Sequence, residues 1–133
     1  MKAFKPMLAK LIDAPFDDKD WIFEIKWDGF RAIGIKNKSV ELLSRLNNSL
    51  NSRFKLIAKE LETIKGDFVV DGEIIIQDEE GKARFQLIQN YQTTQIGTPV
   101  YYVFDLLYLN GKDLRSLPLL QRKALLKKVL KGK

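Results

Sequence analysis

The residues with the clearest potential for chemistry lie in one run, Glu24-Ile25-Lys26-Trp27-Asp28-Gly29-Phe30-Arg31. Asp-Gly is a turn pair, so Lys26 is expected at the end of a strand and Arg31 at the start of the next. Two cations that flank one turn can hold a nucleotide phosphate. A lysine that is crowded by cations and partly desolvated loses its proton more easily and becomes a nucleophile. The alternative is a plain hairpin with an exposed lysine.

The composition restricts the chemistry available to the chain. Its 133 residues include no cysteine and no histidine, so thiol catalysis, thiolate zinc sites and the usual general base are excluded. Lysine, arginine and carboxylates remain. The net charge of +6 indicates a polyanionic partner, with nucleic acid the first candidate.

The first half of the chain predicts strands followed by a helix. Residues 1–20 form an irregular lead-in, and alternating apolar residues predict strands at 21–26, 31–37 and 39–44, arranged as an antiparallel meander. Apolar residues at helical spacing then predict a helix from Asn51 that stops at Gly66.

The second half alternates between the two element types. Residues 67–77 have the β-branched composition of a strand, 82–92 predict either a short helix or an irregular crossover, and 100–109 predict a buried strand. Leu119 to Leu130 predict an amphipathic basic helix that begins near Pro118. The expected fold class is α+β, with helices packed on antiparallel sheet.

No targeting or membrane signal is predicted. No apolar run approaches the roughly 20 residues of a membrane span. The start, MKAFKPMLAKLID, lacks the apolar core of a secretory signal. We therefore expect no membrane partner and a cytoplasmic location, at the nucleoid if DNA is bound.

Three further motifs follow the lysine in order: Ser44-Arg45, Asp71-Gly72-Glu73 and the run FDLLYL at 104–109. This series resembles that of covalent nucleotidyltransferases. The whole chain resembles ATP-dependent DNA ligases, especially the ligase domains of bacterial and archaeal end-joining enzymes, from FKPMLA at 4–9 through GKDLRSLPLLQRKALL. The resemblance implies part of the ATP-grasp-like nucleotidyltransferase fold shared with messenger-RNA capping enzymes.

The resemblance also implies which residues act on the phosphates. Lys26 would attack the α-phosphate of ATP, release pyrophosphate and carry AMP. Arg31 and Arg45 would hold the ribose and phosphate side of the nucleotide, and Mg²⁺ would supply further positive charge. The implied DNA substrate is a nicked or broken duplex.

Three more residues are implied to contact the nucleoside. Glu73 would accept a hydrogen bond from a ribose hydroxyl and is a possible metal ligand. Phe104 would stack on adenine. Glu24 would help to read the edge of the base.

Each of these residues also has a structural interpretation. Asp28 serves the turn whatever Lys26 does, and Asp71-Gly72 is also typical of a bulge. For Phe104, packing in the core is the alternative to stacking on adenine, because strand alternation places it on one face with Tyr102 and Leu106. The last basic side chains are expected on a solvated helix face: Arg122, Lys123, Lys127, Lys128 and Lys131.

Two family motifs do not occur in the 133 residues, the acidic motif E-G-[apolar]-[apolar]-x-K and a following K-x-K. We expect 1–133 to form a single partial adenylation domain without the family's OB-fold domain, completed by a second polypeptide or by a further C-terminal part. The chain by itself is expected not to seal a nicked duplex, unless Glu41 or Asp105 replaces the missing metal carboxylate. The rival functions are a non-catalytic nucleotide- or DNA-binding fragment, an RNA ligase or capping-type enzyme, and a folded remnant that has neither function.

Overall fold

The computed structural model of the chain describes residues 29–131. They form one sheet in the order β2-β1-β3-β4-β5, in which every neighbouring pair is antiparallel, and three helices. The strands are β1 Phe30–Lys36, β2 Val40–Ser44, β3 Phe68–Gln77, β4 Thr98–Leu109 and β5 Lys112–Asp113. The helices are α1 Lys55–Glu62, α2 Phe85–Thr94 and α3 Leu119–Val129. The expected α+β class is confirmed.

The first strands pair differently from the predicted meander. β1 and β2 form the expected hairpin, but β3 lies along the other edge of β1 from Phe30 to Lys36. Both edges of β1 are therefore occupied over Ala32–Lys36. The strand predicted at 21–26 lies outside the described residues.

All three helices contribute to a core on one face of the sheet. Its helical side chains are Ile57, Ala58, Leu61, Ile88, Tyr91 and Leu126, and they are buried together with the strand residues Ala32, Val70, Ile74 and Leu106. A smaller cluster on the strands consists of Ile33, Ile35, Leu43 and Val69. Because side chains alternate along a strand, the second cluster points away from the helices.

The helix boundaries refine the predictions. α1 ends at Glu62, before the predicted stop at Gly66, and the Thr63 hydroxyl donates a hydrogen bond of 2.7 Å to the Glu60 carbonyl there. Of the two predictions for 82–92, a short helix or an irregular crossover, the helix is confirmed as α2, with Ile88 and Tyr91 buried. Among the described residues, no helix is long and apolar enough to cross a membrane.

β4 is less buried than predicted. Leu106 is its only fully buried side chain, and most of the others are partly exposed. The cause is its position in the sheet, because in residues 29–131 only the two-residue strand β5 lies beyond it, opposite Tyr108 and Leu109. The composition of 100–109 correctly predicted a strand, but the prediction that this strand is buried was wrong.

The pairing of β3 with β4 slips beside the Asp71-Gly72 motif. Asp71 is opposite Asp105, whereas Gly72 is opposite Val103, so Phe104 is an extra residue with no partner in β3. Gly72 permits the close approach of the strands, since a Cβ at this position would lie 2.4 Å from the Tyr102 carbonyl oxygen. The predicted bulge is confirmed, and its extra residue lies in β4. Bulges of this kind redirect side chains.

Candidate functional site

The described motif residues converge on the sheet face that points away from the helices. Arg31 follows Phe30, which packs against the helical core, so strand alternation directs Arg31 to the opposite face. Across the β1–β3 ladder Arg31 is directly opposite Glu73, and Asp71 is two residues away on the same strand. The sheet thus places one arginine beside two carboxylates.

Arg31 and Asp71 form a bidentate ion pair. Arg31 Nε donates to Asp71 Oδ1 at 2.7 Å, and Arg31 Nη2 donates to Asp71 Oδ2 at 2.5 Å. The Asp71 side chain is 4% exposed and that of Arg31 is 21% exposed. Burial raises the pKa of the Asp71 carboxyl above its ordinary value, and Arg31 opposes that rise. The geometry fixes the direction of the guanidinium, as a planar two-pronged contact does.

The raised pKa of Asp71 predicts an unusual dependence of stability on pH. Because the folded-state pKa lies above that of the unfolded chain, the native state binds the extra proton between the two values. The Asp71 contribution to the free energy of unfolding is therefore full below the ordinary aspartate range and decreases as the pH rises through the raised pKa. Urea denaturation of the chain and of Asp71→Asn across this range measures the difference. If the free energy of unfolding of the unsubstituted chain, minus that of Asp71→Asn, increases with pH, the raised pKa of Asp71 is contradicted.

Phe104 lies under Arg31. The Arg31 guanidinium carbon is 4.8 Å from the centre of the Phe104 ring, a cation–π distance. Phe104 is partly exposed and belongs to neither apolar cluster of the described residues, whereas Leu106 is buried in the helical core. The slip in β4 therefore separates Phe104 from the face that simple alternation assigned to it together with Leu106. The structure does not support the core role for Phe104.

A cationic cleft adjoins this cluster. It has a volume of about 700 Å³, and its lining includes Arg31, Arg45 and Arg53 but no carboxylate. Arg45 is exposed at the end of β2. Arg53 is oriented by neutral groups, because it donates to Gln92 Oε1 at 3.0 Å and lies 5.4 Å from the centre of the Phe30 ring. Neither of these partners carries a negative charge.

A smaller cavity lies elsewhere, on the helical side of the sheet. It measures about 260 Å³, and apolar side chains of α1 and β4 provide most of its lining. None of the motif residues lines it. The polar cleft beside Arg31 and Arg45 is therefore the better candidate for a phosphate-bearing ligand.

The carboxylates of the described residues do not form a metal centre. Residues 29–131 contain no group of three or more acidic side chains placed to hold an ion. Asp105, which the sequence offered as a replacement metal ligand, is bound by Arg122 at 2.8 and 3.1 Å. Glu41 is exposed on β2.

The structure brings together four of the six residues that the sequence selected. Arg31, Glu73 and Phe104 lie in the cluster, and Arg45 shares the cleft with Arg31. Glu24 and Lys26 lie outside the described residues. The ion pair of Asp71 with Arg31 was not predicted, because 40 residues separate the two and no local pattern links them.

The chain is similar to known ATP-dependent DNA ligases in sequence and in fold. The family model of the ATP-dependent DNA ligase domain matches residues 6–133. The ligase domain of LigD from Mycobacterium tuberculosis has a similar fold, with a TM-score of 0.66 and 28% identity over 79% of this chain and 35% of that chain. A mycobacterial DNA ligase D complexed with ATP gives the same values. The fold is thus similar to part of the LigD ligase domain, and the chain belongs to the ATP-dependent DNA ligase family.

Curated relatives include both end-joining proteins and stand-alone ligases. The chain is 36% identical to the multifunctional non-homologous end joining protein LigD of Pseudomonas aeruginosa, over 96% of this chain and 16% of that protein. It is 34% identical to a DNA ligase of Methanococcus aeolicus, over 99% of this chain and 26% of that protein. The SPbeta prophage-derived DNA ligase-like protein LigB of Bacillus subtilis is also 34% identical, over 91% of this chain and 45% of that protein. The chain spans less than half of each of these relatives.

Proposed function

We propose that the chain is the nucleotide-binding part of a DNA ligase adenylation domain, which forms a lysyl-AMP intermediate at Lys26 for nick sealing or end joining in DNA repair. The observation that carries the proposal is the convergence of Arg31, Glu73 and Phe104 on one sheet face. Arg45 lies in the adjoining cationic cleft. An adenosine phosphate needs an aromatic surface, a hydroxyl acceptor and cations, and this group provides all three.

The proposed reaction begins at the unprotonated amine of Lys26. Its nitrogen forms a bond to the α-phosphorus of ATP while the bond from that phosphorus to the bridging oxygen breaks. Pyrophosphate leaves with the electron pair, and the amine proton passes to solvent. In the second step an oxygen of a DNA 5′-phosphate attacks the AMP phosphorus, and the bond to the Lys26 nitrogen breaks, which returns the amine. In the third step the 3′-hydroxyl of the adjoining strand attacks the DNA 5′-phosphate, loses its proton to solvent and displaces AMP.

The described residues contribute binding and charge to this reaction. Phe104 would stack on adenine, Glu73 would accept the ribose hydroxyl, and Arg31 and Arg45 would neutralise phosphate oxygens. Lys26 lies outside the described residues, and its proposed role rests on its place in the sequence, five residues before Arg31.

Mg²⁺ would reduce the charge on the phosphates and so favour nucleophilic attack. The described residues fit this ion only in part, because they present no cluster of three carboxylates. Glu73 is the ligand we propose from this chain. Further ligands, and the OB-fold domain, would come from a second polypeptide or from further chain, and the proposed location is the cytoplasm, at the nucleoid.

The proposal is tested by the position of the label in ATP. We expect covalent labelling of the chain from ATP that carries ³²P at the α-phosphate, in the presence of Mg²⁺, and none from ATP labelled at the γ-phosphate. Denaturing electrophoresis reads out both. Labelling from α-labelled GTP in preference to ATP would favour a capping-type enzyme, and labelling from the γ-position would replace nucleotidyl transfer with phosphoryl transfer.

DNA binding in the cationic cleft gives a separate prediction. We expect Arg53→Gln to weaken binding of a nicked duplex and to reduce the slope of log affinity against log salt by about one. Fluorescence anisotropy between about 50 and 200 mM salt measures the slope. Lys38→Gln is the matched control, because Lys38 is exposed in the β1–β2 turn, at the opposite end of β2 from Arg45. Equal slopes for both variants would exclude the cationic cleft as a DNA-binding site.

A further inference from the structure

The backbone at Phe104 is not held by the β3–β4 ladder. The ladder passes from Asp105 to Val103, and Phe104 has no partner in β3. A bulged residue lacks the regular cross-strand pairing that fixes its neighbours. The pairing with β3 therefore does not fix the Phe104 backbone directly, and contacts from outside this pair of strands can set the direction of its ring.

Two adjacent side chains of α3 contact this segment. Lys123 Nζ donates to the Phe104 carbonyl oxygen at 2.8 Å. Arg122 Nε and Nη2 donate to the two carboxylate oxygens of Asp105 at 2.8 and 3.1 Å. Neither cation therefore lies on the solvated helix face that the sequence predicted, because both bind the bulged segment of β4.

The Arg122–Asp105 pair is well enclosed and has further anchors. The side chains of Arg122 and Asp105 are 12% and 14% exposed. Arg122 Nη1 also donates to the Leu117 carbonyl at 2.6 Å, and the Leu106 amide donates to Asp105 Oδ1 at 2.8 Å. Arg122 thereby connects the start of α3 to the residue that follows Phe104.

The same arginine compensates a like-charge contact. Asp105 and Asp71 are directly opposite in the β3–β4 ladder, and each carboxylate has its own arginine, Arg122 or Arg31. Without Arg122, the Asp105 carboxylate would compete with Asp71 for a cation. Arg31 lies over the Phe104 ring, so such competition would also disturb that side of the ring.

We propose that Arg122 and Lys123 are positioning residues, which hold the bulged segment so that the Phe104 ring presents a fixed face to the adenine base. The inference rests on the proposed function, in which Phe104 stacks on adenine. It assigns to α3 a part in selecting the base that is separate from phosphate binding. A displaced ring loses stacking, whereas the phosphate contacts of Arg45 at the far end of β2 persist.

Isothermal titration calorimetry of the chain with ATP and with inorganic tripolyphosphate separates the two parts of the nucleotide. We expect Phe104→Ala to weaken ATP binding about tenfold, the loss of one base stack. Arg122→Met and Lys123→Met should each weaken it about fivefold by misplacing the ring. Tripolyphosphate binding should be unchanged in Phe104→Ala and Lys123→Met. In Arg122→Met it should weaken less than ATP binding does, because the freed Asp105 carboxylate competes only for Arg31 and leaves Arg45 in place. Arg122→Lys should recover part of the ATP affinity, and Lys127→Met, an exposed lysine of the same helix, should match the unsubstituted chain.

The possible results separate the inference from the function on which it rests. If Phe104→Ala weakens ATP binding and Lys123→Met does not, the positioning role is excluded and the adenine contact stands. If Arg122→Met weakens ATP and tripolyphosphate binding equally, Arg122 only supports the fold, and the inference fails. If Phe104→Ala leaves ATP binding unchanged, the adenine contact in the proposed function fails, and the inference fails with it.

Discussion

Replacing Lys26 with alanine is expected to abolish covalent AMP labelling of the chain completely. The proposed intermediate is a phosphoramidate on the side-chain nitrogen, so the variant lacks the atom that forms the bond. No histidine or cysteine is present to act as a substitute nucleophile. Incubation with α-labelled ATP and Mg²⁺, followed by denaturing electrophoresis, gives the result directly.

Lys26→Arg tests whether Lys26 acts as a nucleophile or only as a positive charge. Arginine keeps the positive charge and much of the length, but its guanidinium stays protonated and cannot attack phosphorus. We therefore expect no label on this variant, although ATP binding persists. Lys38→Ala, in the β1–β2 turn, should label normally, and circular dichroism should show that all variants are folded. Label on either Lys26 variant would show that Lys26 is not the residue that carries AMP.

Local patterns predicted the individual elements well. The helical spacing of Ile57, Ala58 and Leu61 corresponds to the buried side of α1, and the alternation in 31–37 and 39–44 corresponds to β1 and β2. These signals are local, because each depends only on the period of one helix or one strand. The weak apolar pattern of 82–92 left a helix and a crossover open, and only packing on β3 shows which forms.

Sheet order was beyond the reach of such patterns. β3 pairs with β1 across more than 30 residues of chain and occupies the edge that a simple meander would leave to the preceding strand. Alternation predicts which side chains share a face, but it does not say which strand lies alongside. The two faces of β1 and its hairpin with β2 were therefore predictable, and its pairing with β3 was not.

The site was predicted as a set of residues and not as a set of contacts. The motif order selected Arg31, Glu73 and Phe104, which the fold brings together. Asp71 was assigned to a bulge alone, because the Asp71-Gly72 pair is typical of one. Its ion pair with Arg31 became visible only with the β1–β3 register.

The face of β4 on which Phe104 lies was also not predictable from local patterns. Strand alternation placed it with Leu106, but the extra residue in β4 breaks the period at this point. The Asp71-Gly72 pair indicated a bulge, but the position of the extra residue in β4 depends on how two distant strands fit together, and no local pattern gives it. The anchoring of α3 through Arg122 and Lys123 was missed for the same reason, since five basic residues near the end of the chain are typical of a solvated face.

Replacing Arg31 with methionine is expected to lower both stability and nucleotide affinity. Asp71 is 3% exposed, so the variant leaves a buried carboxylate without its cation. Removing one partner of a buried ion pair costs about 3 kcal/mol of unfolding free energy, mainly because the other partner remains desolvated. Urea denaturation measures the stability, and calorimetric titration with ATP measures the affinity.

The double variant Arg31→Met/Asp71→Leu separates the two effects. Replacing both members of a buried pair with apolar side chains is often neutral for stability, so most of the lost unfolding free energy should return. ATP affinity should not return, because the guanidinium that we propose for the phosphates is still absent. A double variant that is stable and binds ATP as tightly as the unsubstituted chain would show that Arg31 serves the fold alone. One that is stable and binds ATP at least about tenfold more weakly would assign Arg31 to the nucleotide, since a contact to a charged group contributes about 1.5–3 kcal/mol.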